Sequence, residues 1–153
     1  SASLVGSEMC IRDRGETIQI FNYGNCKRDF TYIDDIIEGM VRIIQHAPEK
    51  KNGDDGLPIP PYKVYNIGSN SPENLLDFVT ILQDELISAG VLPEDYDFKA
   101  HKELVPMQPG DVPVTFADTT PLEKDFGFRP STPLRDGLRA FAEWYAKYYS
   151  TND

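Results

Sequence analysis

Gly24-Asn25-Cys26-Lys27-Arg28-Asp29-Phe30-Thr31-Tyr32-Ile33-Asp34-Asp35 lies between a short apolar run at residues 17–21 and an apolar-periodic segment that opens at Ile36. Thr17-Ile18-Gln19-Ile20-Phe21 alternates over a β-branched core and predicts a strand. Ile36, Ile37, Met40, Val41 and Ile44 recur at helical spacing and predict a helix. Asp35 and Glu38 would form its capping box, and Pro48 would stop it. An arginine leaving a strand just ahead of a helix is well placed to hold an anion, because its planar fork of donors stays charged and suits phosphate oxygens. Arg28 is therefore the first candidate site residue, and a surface ion pair between Arg28 and Asp29 is the competing reading.

Beyond that helix, residues 50–61 carry Asn52-Gly53-Asp54-Asp55-Gly56 and three prolines and predict a flexible polar loop. Val64-Tyr65-Asn66-Ile67-Gly68 predicts a buried strand ended by glycine. Ser71-Pro72-Glu73 predicts a helix start, with Leu75, Val79, Leu82 and Leu86 on one face and Gly90 as its close. Residues 97–103 are a weak strand, 107–113 a proline-glycine loop and 114–117 a short strand. Thr120-Pro121-Leu122-Glu123 predicts a capped helix stopped at Gly127. Thr132-Pro133 opens a last helix with Leu134, Leu138, Phe141, Tyr145 and Tyr148 on its apolar face. Strands alternate with helices, so the fold class is α/β. About three or four strands are few for a complete doubly wound sheet, so the chain reads as part of a larger one.

The chain has 153 residues, enough for one domain with a real core, and no apolar run long enough to span a membrane. Its net charge of −10 argues against nucleic acid as a partner, although a few focused arginines can still hold a diphosphate. Cys10, Cys26, His46 and His101 show no metal-ligand spacing, a disulfide is not expected, and reducing cytoplasm is the expected location. Residues 1–14 have neither helical nor alternating period and resemble one reading frame of a sequencing-library adapter. Native sequence is then expected to begin near Gly15; a signal peptide or an ordinary amino-terminal arm is the rival. Setting them aside leaves the −10 intact, since Glu8 and Asp13 balance Arg12 and Arg14.

Four blocks carry a resemblance: residues 21–35, Val64-Tyr65-Asn66-Ile67-Gly68, Met107-Gln108-Pro109-Gly110-Asp111-Val112-Pro113, and Phe126-Gly127-Phe128-Arg129-Pro130-Ser131-Thr132-Pro133-Leu134. Together they resemble the extended short-chain dehydrogenase/reductase family, and within it they look most like the UDP-glucuronate 4-epimerases. Gln108 narrows the match, because related galactose epimerases tend to carry arginine there. The resemblance covers residues 15–149. It implies the carboxyl-terminal part of a Rossmann-type fold, including the substrate-binding subdomain.

The resemblance implies an NAD-dependent parent that converts UDP-glucuronate to UDP-galacturonate through a 4-keto sugar, with a tyrosinate taking the hydroxyl proton. It implies no membrane partner and a homodimeric parent. The family's glycine-rich dinucleotide loop is not found here. The family's catalytic Tyr-x-x-x-Lys pair is expected to be missing as well, since Tyr62 is followed directly by Lys63, and Tyr145 and Tyr148 have Tyr149 and Asn152 four residues on. The expectation is a fragment with no catalytic or cofactor-binding residue and no metal site, inactive alone, with apolar surface exposed where the first strand and the Ile36 to Ile44 helix have lost their partners. By the same resemblance, backbone groups of Gln19 and Phe21 would read uracil, Arg28 would grip the diphosphate, Asp111 would accept from ribose hydroxyls, and Gln108 would donate to a phosphate or sugar oxygen. The competing readings are a core strand for Gln19 and Phe21 and a self-bonded turn for Asp111. Asp34 and Asp35 read as helix caps, His46 as a helix-end residue, Cys26 as non-catalytic, and Tyr32 as either core or pocket wall. Other nucleotide-sugar dehydratases, decarboxylases or epimerases are the nearest rivals, and a non-catalytic α/β binding module is the rival from another class.

Overall fold

The computed structural model describes residues 17–150. The expected leader at residues 1–14, with Cys10 and the boundary near Gly15, lies outside the described residues. In chain order the elements are β1 (Ile18–Ile20), β2 (Lys27–Arg28), α1 (Ile33–Ile44), β3 (Lys51–Asn52), β4 (Pro58–Ile59), β5 (Glu73–Asn74), α2 (Leu75–Ser88), β6 (Lys102–Leu104), β7 (Val114–Thr115), α3 (Thr120–Phe126) and α4 (Leu134–Ser150). The α/β class expected from the sequence holds. The chain forms two compact units, each assembled from separated stretches.

The first unit takes residues 17–28, Pro72–Thr115 and residues 133–150. Strand β1 is as alternating as its sequence, with Ile18 and Ile20 buried and Gln19 exposed. It pairs in parallel with β6, Gln19 opposite Glu103. Strand β2 lies between β5, which runs antiparallel to it, and β7, which runs parallel. Helices α2 and α4 pack on each other, burying Leu75, Phe78, Val79 and Leu82 from one and Leu138, Ala142 and Tyr145 from the other. Helix α2 starts later than the sequence pattern predicts. Glu73 and Asn74 are taken by the ladder to β2, and the Asn74 side chain then caps the helix by accepting from the Leu76 N–H at 2.8 Å. Gly90 follows the helix with φ +72, as predicted.

The second unit takes Asp29–Ser71 and Phe116–Thr132. Helix α1 begins three residues before the predicted Ile36, with Tyr32 in the cap position and the Ile36 N–H bonded to the Tyr32 carbonyl at 3.2 Å. Asp34 and Asp35 are thus first-turn acids favoured by the helix dipole, not caps. The Asp35 carboxylate instead accepts the Ser131 and Thr132 N–H groups at 3.1 and 2.9 Å. Gly39 lets α1 approach Ile67 and Phe128, because a Cβ there would lie 3.2 to 3.3 Å from both side chains. The predicted apolar stripe is present and faces solvent: Ile37, Met40 and Val41 are exposed, and Ile44 is 84% exposed.

Three further expectations fail here. Residues 50–61 are not a plain loop, because β3 and β4 pair antiparallel around a turn at Gly53 to Gly56. Val64 to Gly68 forms no strand, and Val64 is 75% exposed; among the described residues no neighbouring strand is present to satisfy its backbone. The box at Thr120 is not formed either. Thr119 occupies the cap position, and Asp118 accepts the Thr120 N–H at 3.0 Å.

Candidate substrate-binding site

Arg28 ends β2 with its side chain 27% exposed. Its Nη2 donates to Asp111 Oδ1 at 2.9 Å, and its Nη1 donates to the Lys27 carbonyl at 3.0 Å. Asp111 comes from the turn Gln108-Pro109-Gly110-Asp111, closed by the Asp111 N–H on the Gln108 carbonyl at 3.2 Å. Proline second and a glycine at φ +86 third are the residues a type II turn requires. The Val112 N–H also bonds Asp111 Oδ1 at 2.8 Å, so the self-bonded turn exists alongside the ion pair. The other carboxylate oxygen of Asp111 makes no hydrogen bond among the described residues. The predicted Arg28–Asp29 pair is not the one formed. The Asp29 carboxylate is taken by Ser69 Oγ, by the Asn70 N–H at 3.0 Å and by the Ala117 N–H at 3.3 Å.

Three of the five candidates are thus gathered by one ladder and one turn: Arg28, Asp111 and, at the start of the turn, the exposed Gln108. Gln19 belongs to a separate ladder, β1–β6, and Phe21 follows it outside the strand. The Gln19 amide is bonded to Glu103 Oε2 at 3.1 Å, and Phe21 is half-buried at the head of a 3-10 turn, not inside the strand. The Ile20 carbonyl accepts the Val105 N–H at 3.0 Å, so by strand alternation the Gln19 backbone groups face the opposite, open edge.

Residues 9–141 match the protein family described as GDP-mannose 4,6 dehydratase. The chain belongs to this family. Among curated relatives, an uncharacterized 37.6 kDa protein of Escherichia coli O111:H- is 43% identical over 141 residues, covering 88% of this chain and 39% of that protein. UDP-glucuronate 4-epimerase 4 of Arabidopsis thaliana is 38% identical over 143 residues, covering 90% of this chain and 30% of the relative. Among solved structures, UDP-glucuronic acid 4-epimerase from Bacillus cereus, in complex with UDP-glucuronic acid and NAD, is 26% identical with a TM-score of 0.61. That match covers 93% of this chain and 38% of the other. The chain spans well under half the length of these relatives. The resemblance to extended short-chain dehydrogenases/reductases is thereby borne out, as is the match to the carboxyl-terminal part of their Rossmann-type fold.

Contrary to the expectation that no Tyr-x-x-x-Lys pair is present, Tyr23 and Lys27 stand at that spacing. A helix would put residues four apart on one face. Here Tyr23 sits in the 3-10 turn at φ +53, and Lys27 lies on β2, so the helical side-by-side pair does not form. Cys26 is buried and free, and its carbonyl accepts the Leu75 N–H at 2.9 Å, which makes it a core residue. His46 lies two residues past the end of α1, close to the expected helix-end position, with Nδ1 2.9 Å from the Arg42 carbonyl. His101 stacks on Tyr96, with ring centroids 5.2 Å apart. Tyr32 is half-buried; burial, and then the charge and hydrogen bond of Asp34, push its phenol up. Among the described residues no cluster of His, Cys, Asp and Glu is arranged to hold a metal ion, and no helix is long and apolar enough to cross a membrane.

Two features escaped the sequence reading. Asp29 is a hydrogen-bond hub, although the sequence presents it only as a neighbour of Arg28. In the second unit, a cleft of about 650 Å³ runs beside Ile44, His46, Tyr62, Lys63, Tyr65 and Phe126. Asp125 accepts there from Lys63 and from the Tyr65 hydroxyl, the latter at 2.6 Å. The hydrogen bond from Lys63, followed by that from Tyr65, holds the Asp125 carboxyl below its ordinary value. The same contacts with Asp125 raise Lys63 and Tyr65. Nothing in the local sequence pattern pairs residues 60 or more positions apart.

Proposed function

We propose that this chain is the UDP-sugar-binding part of a longer NAD-dependent UDP-glucuronate 4-epimerase. The observation that carries the reading is the meeting of Arg28 and Asp111, 83 residues apart, on a short ladder and a type II turn. Arg28 keeps donors beyond those it spends on Asp111 and Lys27, and a diphosphate supplies the oxygens such a fork accepts. The uncommitted oxygen of Asp111 suits a ribose hydroxyl, and the open edge at Gln19, with the Phe21 ring beside it in sequence, suits a planar base. Gln108 would donate to a phosphate or sugar oxygen. This division of labour holds the nucleotide firmly and leaves the sugar free to present either face.

Among the described residues no glycine-rich strand-to-helix turn fits a dinucleotide, so NAD would be held by the remaining length of the parent. When bound there, NAD supplies oxidation and re-reduction at C4 of the sugar. The parent would work as a homodimer in the cytoplasm, a compartment that suits the free Cys26 thiol. The family description, GDP-mannose 4,6 dehydratase, supports a second reading in which the parent dehydrates a nucleotide sugar instead.

Calorimetric titration of UDP into the 153-residue chain tests the grip. Arg28→Ala should remove about 2–5 kcal/mol of UDP binding if the contact is desolvated, less if water screens it. Equal UDP affinity in the two proteins would sink the assignment.

A further inference from the structure

We propose that Glu73 is a specificity-determining residue of the Arg28 site: its charge rejects bare phosphate and pyrophosphate and leaves the site to anions that carry a nucleoside. The proposal rests on the UDP-sugar reading above, and every residue in it belongs to the first unit. Strand β2 has a neighbour on each side, and the register sets Glu73 of β5 directly opposite Arg28, with Thr115 of β7 opposite it on the other side. Residues paired across a ladder share one face of the sheet, and in an antiparallel pair their Cβ atoms lie about 5 Å apart. Lys27 is paired with Asn74 and Val114, so its cation projects from the opposite face.

A glutamate in that position is the natural ion-pair partner of an arginine. Arg28 instead directs its donors to Asp111 and to the Lys27 carbonyl. Glu73 is half-buried, and among the described residues its carboxylate has no hydrogen bond or ion pair. On this face one cation therefore stands with two carboxylates, an excess of one negative charge. An anion drawn to Arg28 meets that excess a few ångströms away, where each like charge weakens binding about threefold in water and less as salt screens it. Phosphate oxygens alone have nothing to set against the repulsion. A nucleoside has, because its base and ribose add hydrogen bonds and apolar contact that do not depend on the charge beside Arg28. The ligand class that passes is a nucleoside diphosphate held at both ends.

The test uses the 153-residue chain with UDP, uridine and pyrophosphate as separate probes, read by calorimetry and by the Arg28 Nε–H signal in magnetic resonance. Glu73→Gln keeps the size of the side chain and removes its charge. It should tighten UDP binding about five- to tenfold at low salt and less than about twofold at high salt. Uridine binding should not change. Pyrophosphate should shift the Arg28 signal in Glu73→Gln and not in wild type. Glu143→Gln, which removes an equal charge from the exposed side of α4, should leave UDP affinity within about twofold. If Glu73→Gln does not fold, Glu73→Thr, a residue suited to a strand, carries the same expectations. Weaker UDP binding in a folded variant would mean that Glu73 positions Arg28 or meets the ligand, and it overturns the proposal. So does unchanged binding, a gain that persists at high salt, or an equal gain from Glu143→Gln. If the wild-type chain does not bind UDP, the UDP-sugar reading falls. Pyrophosphate then decides alone: a shift of Arg28 confined to the Glu73 variant sustains the selector, and its absence overturns it.

Discussion

Replacing Glu85 should separate the worth of a buried charge from that of the space it fills. Glu85 is 6% exposed on α2, and its two oxygens accept Arg135 Nη1 at 2.6 Å and Arg139 Nε at 3.3 Å from α4. Removing one partner of a fully buried pair costs about 3–5 kcal/mol because a charge is stranded. Here the arginine side chains are 46% and 51% exposed, and each keeps a second acid, Asp84 at 3.2 Å and Asp136 at 3.4 Å. Neither cation is stranded, so the loss should be smaller. Glu85→Gln forfeits two charge-assisted bonds and turns an amide N–H toward an arginine donor, at a cost of about 2–3 kcal/mol. Glu85→Met keeps the volume and removes the desolvated charge, and should fall within about 1 kcal/mol of wild type. Urea unfolding followed by Trp144, the sole tryptophan and a residue of α4, measures both. The glutamine variant should also melt about 6–9 °C lower. A glutamine variant as stable as wild type, or a methionine variant less stable than the glutamine one, would refute the reasoning.

Gly24 sits at φ +81, and a Cβ there would lie 2.5–2.8 Å from the Leu76 side chain. Gly24→Ala should therefore cost more than about 1 kcal/mol, read as a lower melting temperature. Asp125 is held below its ordinary value, so its stabilising contribution is present above the unfolded-state value near about 4 and is lost as pH falls through the lowered folded-state value. The melting difference between wild type and Asp125→Asn should accordingly shrink as pH falls below about 4, and a constant difference would contradict it. Lys63 and Tyr65 are raised, so their share is lost only as pH rises through their raised values. Ile37→Ser with Ile44→Ser should reduce binding of a hydrophobic dye while leaving the melting temperature nearly unchanged, because both side chains already face solvent.

Much of the local structure was legible in the residues. The alternation at residues 18–20, the helical period from Ile36, and the left-handed glycines at 90 and 127 follow from sterics over two to four positions, and each appears as expected. The Pro-Gly-Asp turn and the arginine after the strand were equally plain. Glu85 was half-legible, standing three residues after Leu82 on the buried face of its helix. The open apolar face of α1 agrees with the fragment reading, whereas the burial of the first strand does not. In the fragment reading that strand should have lost its partner, and it is covered by β6 instead.

By itself, then, the sequence determined where the main helices and the left-handed glycines fall, and that a fixed cation follows the first strand. The tertiary structure alone decided what that cation meets. Arg28 reaches Asp111 and not its neighbour Asp29, because the β2–β7 ladder brings the distant turn alongside while Asp29 is drawn to residues 69, 70 and 117. It also decided that Val64 to Gly68, a strand by pattern, is not one. Helical hydrogen bonds close within a segment, but a strand's backbone groups need a neighbour, and no local pattern supplies it.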